Sequence, residues 1–186
     1  MTRRLFASSG DRHVCRTLVV SALSMAATRG LLRIGTLSLP CALGRTGRRA
    51  IKREGDGATP IGVYAIRDVL YRQDRLMRPR TGFPARPIRR SDGWCDAQGD
   101  RNYNRPVHHP YPASAEAMWR DDHLYDLVVI LGYNERPRIR GRGSAIFMHL
   151  APRGYAPTAG CIAVSRRDLL LILARLRHPA RLRVLT

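Results

Sequence analysis

The apolar residues of this chain come in short runs closed off by Gly, Pro, Asn or Asp, and a helical period appears clearly only near the C-terminus. Short runs of β-branched and aliphatic residues between turn formers predict strands. Thr17–Val20 and Leu31–Leu39, punctuated by Gly30 and Gly35, read as a hairpin; Gly62–Arg67, Leu124–Leu131, Ser144–His149, Ile162–Val164 and Arg181–Leu185 read as further strands. Gly44–Gly57 is mostly turn, and Ser114–Arg120, with Ser114 as a cap, suits a short helix. Ser165, with Asp168 three residues on, opens the main helix in capping-box fashion; it runs through Leu169–Leu176 and ends at Pro179. Arg78–Pro112, crowded with Pro, Gly, Asn and Asp around Trp94, Tyr103 and Tyr111, reads as a lid or binding loop. The expectation is a mainly β fold with a few short helices and one C-terminal helix, over residues 15–186, behind a flexible basic leader at 1–14.

Length and charge narrow the classes. A chain of 186 residues is one domain's worth. The net charge of +19 is carried almost wholly by arginine, since Lys52 is the sole lysine. These arginines are scattered and form no nucleic-acid-binding motif, so no specific nucleic acid is expected; guanidinium contacts to carboxylate-bearing substrates fit the composition as well. Cys15, Cys41, Cys95 and Cys161 form no C-x-x-C pair and read mainly as free, buried thiols. His108, His109 and His123 have no acidic or Cys partner at ligand spacing, so neither metal nor cofactor is expected. No apolar run is long enough for a transmembrane helix. Arg3 and Arg4 have a faint twin-arginine character and Leu18–Ala27 could serve as the short apolar run of an export signal, but Asp11, Arg12, His13 and Arg16 intervene, and the segment also makes sense as the first strand.

The chemistry concentrates between residues 143 and 162. His149 ends one apolar strand; Cys161, twelve residues later and directly after Gly160, begins the next. Neighbouring strands joined by such a loop can bring their facing ends together. A free thiol has a pKa of about 8.5 and is a weak nucleophile at neutral pH without a base. An imidazole within reach can take its proton and later return one to a leaving group. Backbone N–H groups around Gly160 and Cys161 are candidates for the oxyanion hole of a tetrahedral intermediate. Against this stands the ordinary reading of a buried structural cysteine and an unrelated histidine.

Several motifs together are similar to the YkuD-type L,D-transpeptidase family. That signature has a His, a spacer, then Ser/Thr-His-Gly-Cys; His149, Thr158, Gly160 and Cys161 match it. Lys52-Arg-Glu-Gly-Asp-Gly-Ala-Thr-Pro-Ile-Gly62 resembles the family's Asp-Gly-x-Thr-Pro-x-Gly element, as does Gly141–Phe147 the run before the His. Asp92-Gly-Trp-Cys-Asp96 and Tyr103-Asn104 resemble a short-chain branch. The resemblance implies a β-sandwich-like catalytic domain with Cys161 as nucleophile, His149 as base and then acid, and the Leu150 carbonyl orienting it. The substrate would be a peptidoglycan stem peptide, crosslinked through a thioester, or trimmed by water in an L,D-carboxypeptidase. Thr158, Trp94 and Tyr103 are candidate substrate contacts. Ala159 stands where the signature has His, and Ala163 where many members carry the carboxylate-binding Arg; Arg153 or another loop arginine is the expected substitute. A silent wall- or polyanion-binding protein is the rival from another class. Peptidoglycan chemistry places the protein in the periplasm or cell envelope; with no clean export signal, the cytoplasm is the alternative.

Overall fold

The structure, a computed structural model, describes residues 15–186; the leader expected at 1–14 lies outside them. The first strands are β1 (Cys15–Ser21), β2 (Arg29–Ile34) and β3 (Leu37–Ala42), paired antiparallel in turn, with Gly35 in the β2–β3 turn at φ +57°. Short strands β4 (Arg48–Arg49) and β5 (Thr59–Pro60) pair with each other, and β6 (Gly62–Tyr71) is the longest strand. Then come β7 (Ala85–Pro87), β8 (Asp92–Cys95), β9 (Pro106–His108) and β10 (Ala115–Ala117). The chain finishes with β11 (Leu127–Leu131), β12 (Phe147–Leu150), β13 (Ile162–Val164), helix α1 (Arg166–Arg175) and β14 (Leu176–Val184).

The main sheet runs β11-β12-β13-β3-β2-β1-β14-β6-β7, and β6 also pairs with β11. That last pairing brings the sheet round on itself, so the architecture is barrel-like rather than the expected sandwich. Closure satisfies the strand edges that an open sheet leaves unpaired. Strand alternation fills the interior: Leu18, Val20, Leu32, Ile34, Val129, Met148, Ile162 and Leu182 all enter the main core. Each such side chain contributes on the order of 1.5–3 kcal/mol when fully buried. Leu18 and Val20 are wholly buried in β1, between β2 and β14, so the Leu18–Ala27 run is strand as far as Ser21. Ser165 Oγ accepts the Asp168 N–H at 3.1 Å, and Leu169, Ile172 and Leu173 turn one helical face into the core.

Three local expectations differ from the fold. Ser114–Arg120 is not a helix: Ala115, Glu116 and Ala117 pair with Cys95, Trp94 and Gly93, and sheet pairing overrides a weak local propensity. The main helix stops at Arg175, short of Pro179, because Leu176 already pairs with Cys15; Pro179 falls in the irregular stretch before Thr17 pairs with Arg181. The segment Arg78–Pro112 is not one irregular lid, since it supplies β7 to the main sheet and β8 and β9 to a three-stranded sheet with β10.

Candidate active site

β12 and β13 are parallel neighbours, with Met148 opposite Ile162 and His149 opposite Ala163. Alternation along β12 sends Met148 and Leu150 into the main core, while Phe147 joins a second apolar cluster with Tyr125, Val128 and Cys161. His149 is two residues from Phe147 and so shares its face. Its ring meets the Tyr125 ring edge-on, centroids 5.3 Å apart, and Tyr125 also packs on Phe147. His149 and Cys161 thereby open into one cavity of about 500 Å³.

The imidazole is fixed. His149 Nδ1 lies 2.9 Å from the Leu150 carbonyl oxygen. A carbonyl can only accept, so the proton sits on Nδ1 and the lone pair on Nε2. Burial pushes the His149 pKa down to about 4, with the Leu150 carbonyl opposing and Arg120 assisting, so the ring is neutral near pH 7. The Cys161 thiol donates to the Ala145 carbonyl at 3.2 Å and accepts from the Phe147 N–H at 3.3 Å. Burial pushes its pKa up to about 12; Glu116 adds to this, while the Phe147 N–H and Lys52 oppose it. The resting site is therefore a neutral thiol and a neutral imidazole lining one cavity.

Local contacts hold the turn before Cys161. Thr158 Oγ1 donates to the Cys161 carbonyl at 2.7 Å, and Thr59 Oγ1 reaches the same oxygen at 3.4 Å. Gly160 adopts φ +135° and a β-carbon there would lie 2.8 Å from the Ala58 carbonyl, so the turn admits no side chain. Its N–H donates to Thr158 Oγ1 at 3.1 Å. The expected Gly160 oxyanion donor is thus already engaged, and Thr158 braces the turn as well as lining the cavity.

The other sequence-based candidates are placed differently. Trp94 lies outside the cavity lining; its Nε1–H donates to Asn104 Oδ1 at 2.9 Å and its ring packs on Phe147. Tyr103 is buried behind the wall, donating to Glu54 Oε2 at 2.5 Å and accepting from the Gly143 N–H. Both anchor the wall rather than line it. Arg153 is exposed and does not line the cavity, which instead takes Arg45, Lys52 and Arg120. Ala163 is fully buried in the sheet. Glu116, which reads in the sequence as an exposed helix residue, lines the cavity and accepts from Tyr125 Oη at 2.6 Å. Sequence reasoning missed Arg45, Arg120 and Tyr125 altogether; Lys52 was visible as the one lysine.

A family model for the L,D-transpeptidase catalytic domain, YkuD, matches residues 25–183, nearly the whole chain. The chain belongs to the YkuD family. YkuD domains are cysteine-dependent enzymes of peptidoglycan metabolism. Neither the search of curated proteins nor that of solved structures gives a match. The family match begins before β2 and reaches into β14, leaving out only β1 of the closed sheet, so the Cys161 cavity sits inside the YkuD domain itself. No helix among the described residues is long and apolar enough to cross a membrane.

Proposed function

We propose that this YkuD domain is a peptidoglycan L,D-transpeptidase of the cell envelope, with Cys161 as nucleophile and His149 as general base and then acid. The observation that carries the reading is the fixed imidazole: its Nδ1 proton is held by Leu150, which leaves the Nε2 lone pair for the cavity it shares with the Cys161 thiol. Because both groups rest neutral, the thiol proton passes to Nε2 as sulfur attacks the stem-peptide carbonyl. His149 then returns that proton to the departing amine, leaving a thioester. The side-chain amine of a second stem attacks the thioester and gives a proton to His149; the C–S bond breaks as the amide crosslink forms, and His149 returns that proton to the Cys161 sulfur.

The lining supports an amine acceptor. Glu54, Asp96 and Glu116 face the same cavity, and Asp96 Oδ1 is buried without a hydrogen-bond partner among the described residues. An incoming ammonium suits such an oxygen, and Arg45 and Arg120 offer guanidinium donors to substrate carboxylates. The test is product analysis after incubation with tetrapeptide muropeptides. Crosslinked dimers from the wild type and none from Cys161→Ala support the reading; stems shortened by one residue without dimers would move it to an L,D-carboxypeptidase. Unchanged muropeptides with both proteins would leave a wall-binding role.

A further inference from the structure

Lys52 is the only lysine in the chain and its side chain is buried, 3% exposed, in the wall of the Cys161 cavity. A cation is rarely kept out of water without a task or a partner. Two glycines make its channel. A β-carbon at Gly143 would lie 2.8 Å from Lys52 Cε, and one at Gly160 would lie 3.4 Å from Nζ. The ammonium is therefore delivered against the backbone immediately before the nucleophile.

An ammonium has three N–H donors. One goes to Asp56 Oδ1 at 2.7 Å and a second, longer, to the Arg53 carbonyl at 3.4 Å. The third has no protein acceptor among the described residues. Asp56 is itself held by the Arg53 and Ala58 N–H groups at 2.8 and 2.9 Å. Burial pushes its pKa up, but those amides and Lys52 outweigh this and hold it below the usual carboxylate range. The anchor is thus a fixed anion that ties down the lysine head. Other charged or titratable groups lining the cavity include Glu54, Glu116, Tyr125, Arg120 and His149; Glu116 acts against a negative charge at Cys161, whereas Lys52 favours one.

With the Gly160 N–H spent on Thr158, one of the two backbone donors expected at the turn is engaged, which leaves the Cys161 N–H and room for a second donor. We propose that Lys52 is a catalytic residue whose free N–H receives the oxyanion formed when Cys161 attacks a carbonyl. The inference rests on Cys161 as the nucleophile of the proposed function. In the step, the thiol proton moves to His149 Nε2, the sulfur lone pair forms the C–S bond, and the carbonyl π pair moves onto oxygen beside Nζ. Collapse re-forms the carbonyl and expels the leaving group, which His149 protonates where it is an amine. No oxidant or cofactor enters.

The test uses p-nitrophenyl acetate, which acetylates a thiol through a tetrahedral oxyanion and needs no peptidoglycan. Its counterpart is iodoacetamide, which alkylates sulfur without one. Both rates are read by mass on the Cys161 peptide, in the wild type, Lys52→Met, Asp56→Asn and the double variant. The double variant removes both charges together, so no buried charge is left unpaired if Lys52→Met alone fails to fold. Loss of Lys52 is expected to slow acetylation about 100-fold, the cost of one oxyanion donor, with alkylation staying near its wild-type rate. Asp56→Asn, which keeps the ammonium, should acetylate far faster than the double variant. Equal slowing of acetylation and alkylation, or no slowing of either, overturns the proposal. Wild type that acetylates normally but leaves muropeptides untouched would sink the peptidoglycan reading alone.

Discussion

At the residue scale, the site depends on a few side chains whose polar atoms are fully committed. Thr158 Oγ1 bonds both the Gly160 N–H and the Cys161 carbonyl. Thr158→Val keeps the shape but strands the Gly160 N–H and leaves the Cys161 carbonyl only the longer Thr59 contact, at about 1–3 kcal/mol by the usual cost of an unmade buried bond. A lowered melting temperature together with slower Cys161 acylation is the expected pair of results. Replacement of His149 by Gln removes the proposed base and should lower acylation by roughly 10²–10⁴-fold, measurable as the rate of release from an activated ester. How much of this was legible in sequence differs by residue. His149, Gly160 and Cys161 announce themselves through motif and spacing. Glu116 and Tyr125 do not, because only sheet pairing and ring packing turn them to the cavity.

At the element scale, the strands that carry the site are tied to distant segments by side chains rather than by long ladders. Asn104 is the clearest case. It accepts from the Trp94 indole and the Ala145 N–H, and donates to the Tyr133 and Asn134 carbonyls. Ala145 sits at φ +52°, a region that costs a residue with a β-carbon on the order of 1 kcal/mol or more, and its carbonyl holds the Cys161 thiol. Asn104→Ala should therefore destabilise the fold by about 3 kcal/mol and loosen the Cys161 thiol. Chemical denaturation, with the alkylation rate of the Cys161 peptide alongside, measures both. The strand sequences β11 to β13 are readable because they are dense apolar runs bounded by turns. Ser114–Arg120 misleads because its helix-forming residues are held in a three-residue strand whose partners lie around Trp94.

At the scale of the whole molecule, closure through β6 and β11 makes one core out of strands far apart in sequence. That closure had no local signature, since long-range pairing leaves no trace in the spacing of residues; strand count was legible and curvature was not. Burial of titratable groups sets how stability depends on pH. His149 falls from 6.5 to about 4 in the fold, so between these values the unfolded chain binds more protons and stability drops as pH falls. Cys41 and Cys161 rise from 9.0 to about 12, so above pH 9 the unfolded chain loses protons that the fold retains, and stability drops as pH rises. The expected profile is a plateau from about pH 6.5 to 9 with losses on both sides, followed by melting temperature against pH. His149→Gln should flatten the acid limb between pH 6.5 and 4.

Whether Cys161 carries the acyl group is read from intact-mass analysis with peptide mapping after exposure to tetrapeptide muropeptides. A stem-peptide thioester is expected on the Cys161 peptide of the wild type, absent from Cys161→Ala and strongly reduced in His149→Gln. Turnover of muropeptides that survives Cys161→Ala, or an adduct borne by Cys15, Cys41 or Cys95 instead, would contradict that role for Cys161.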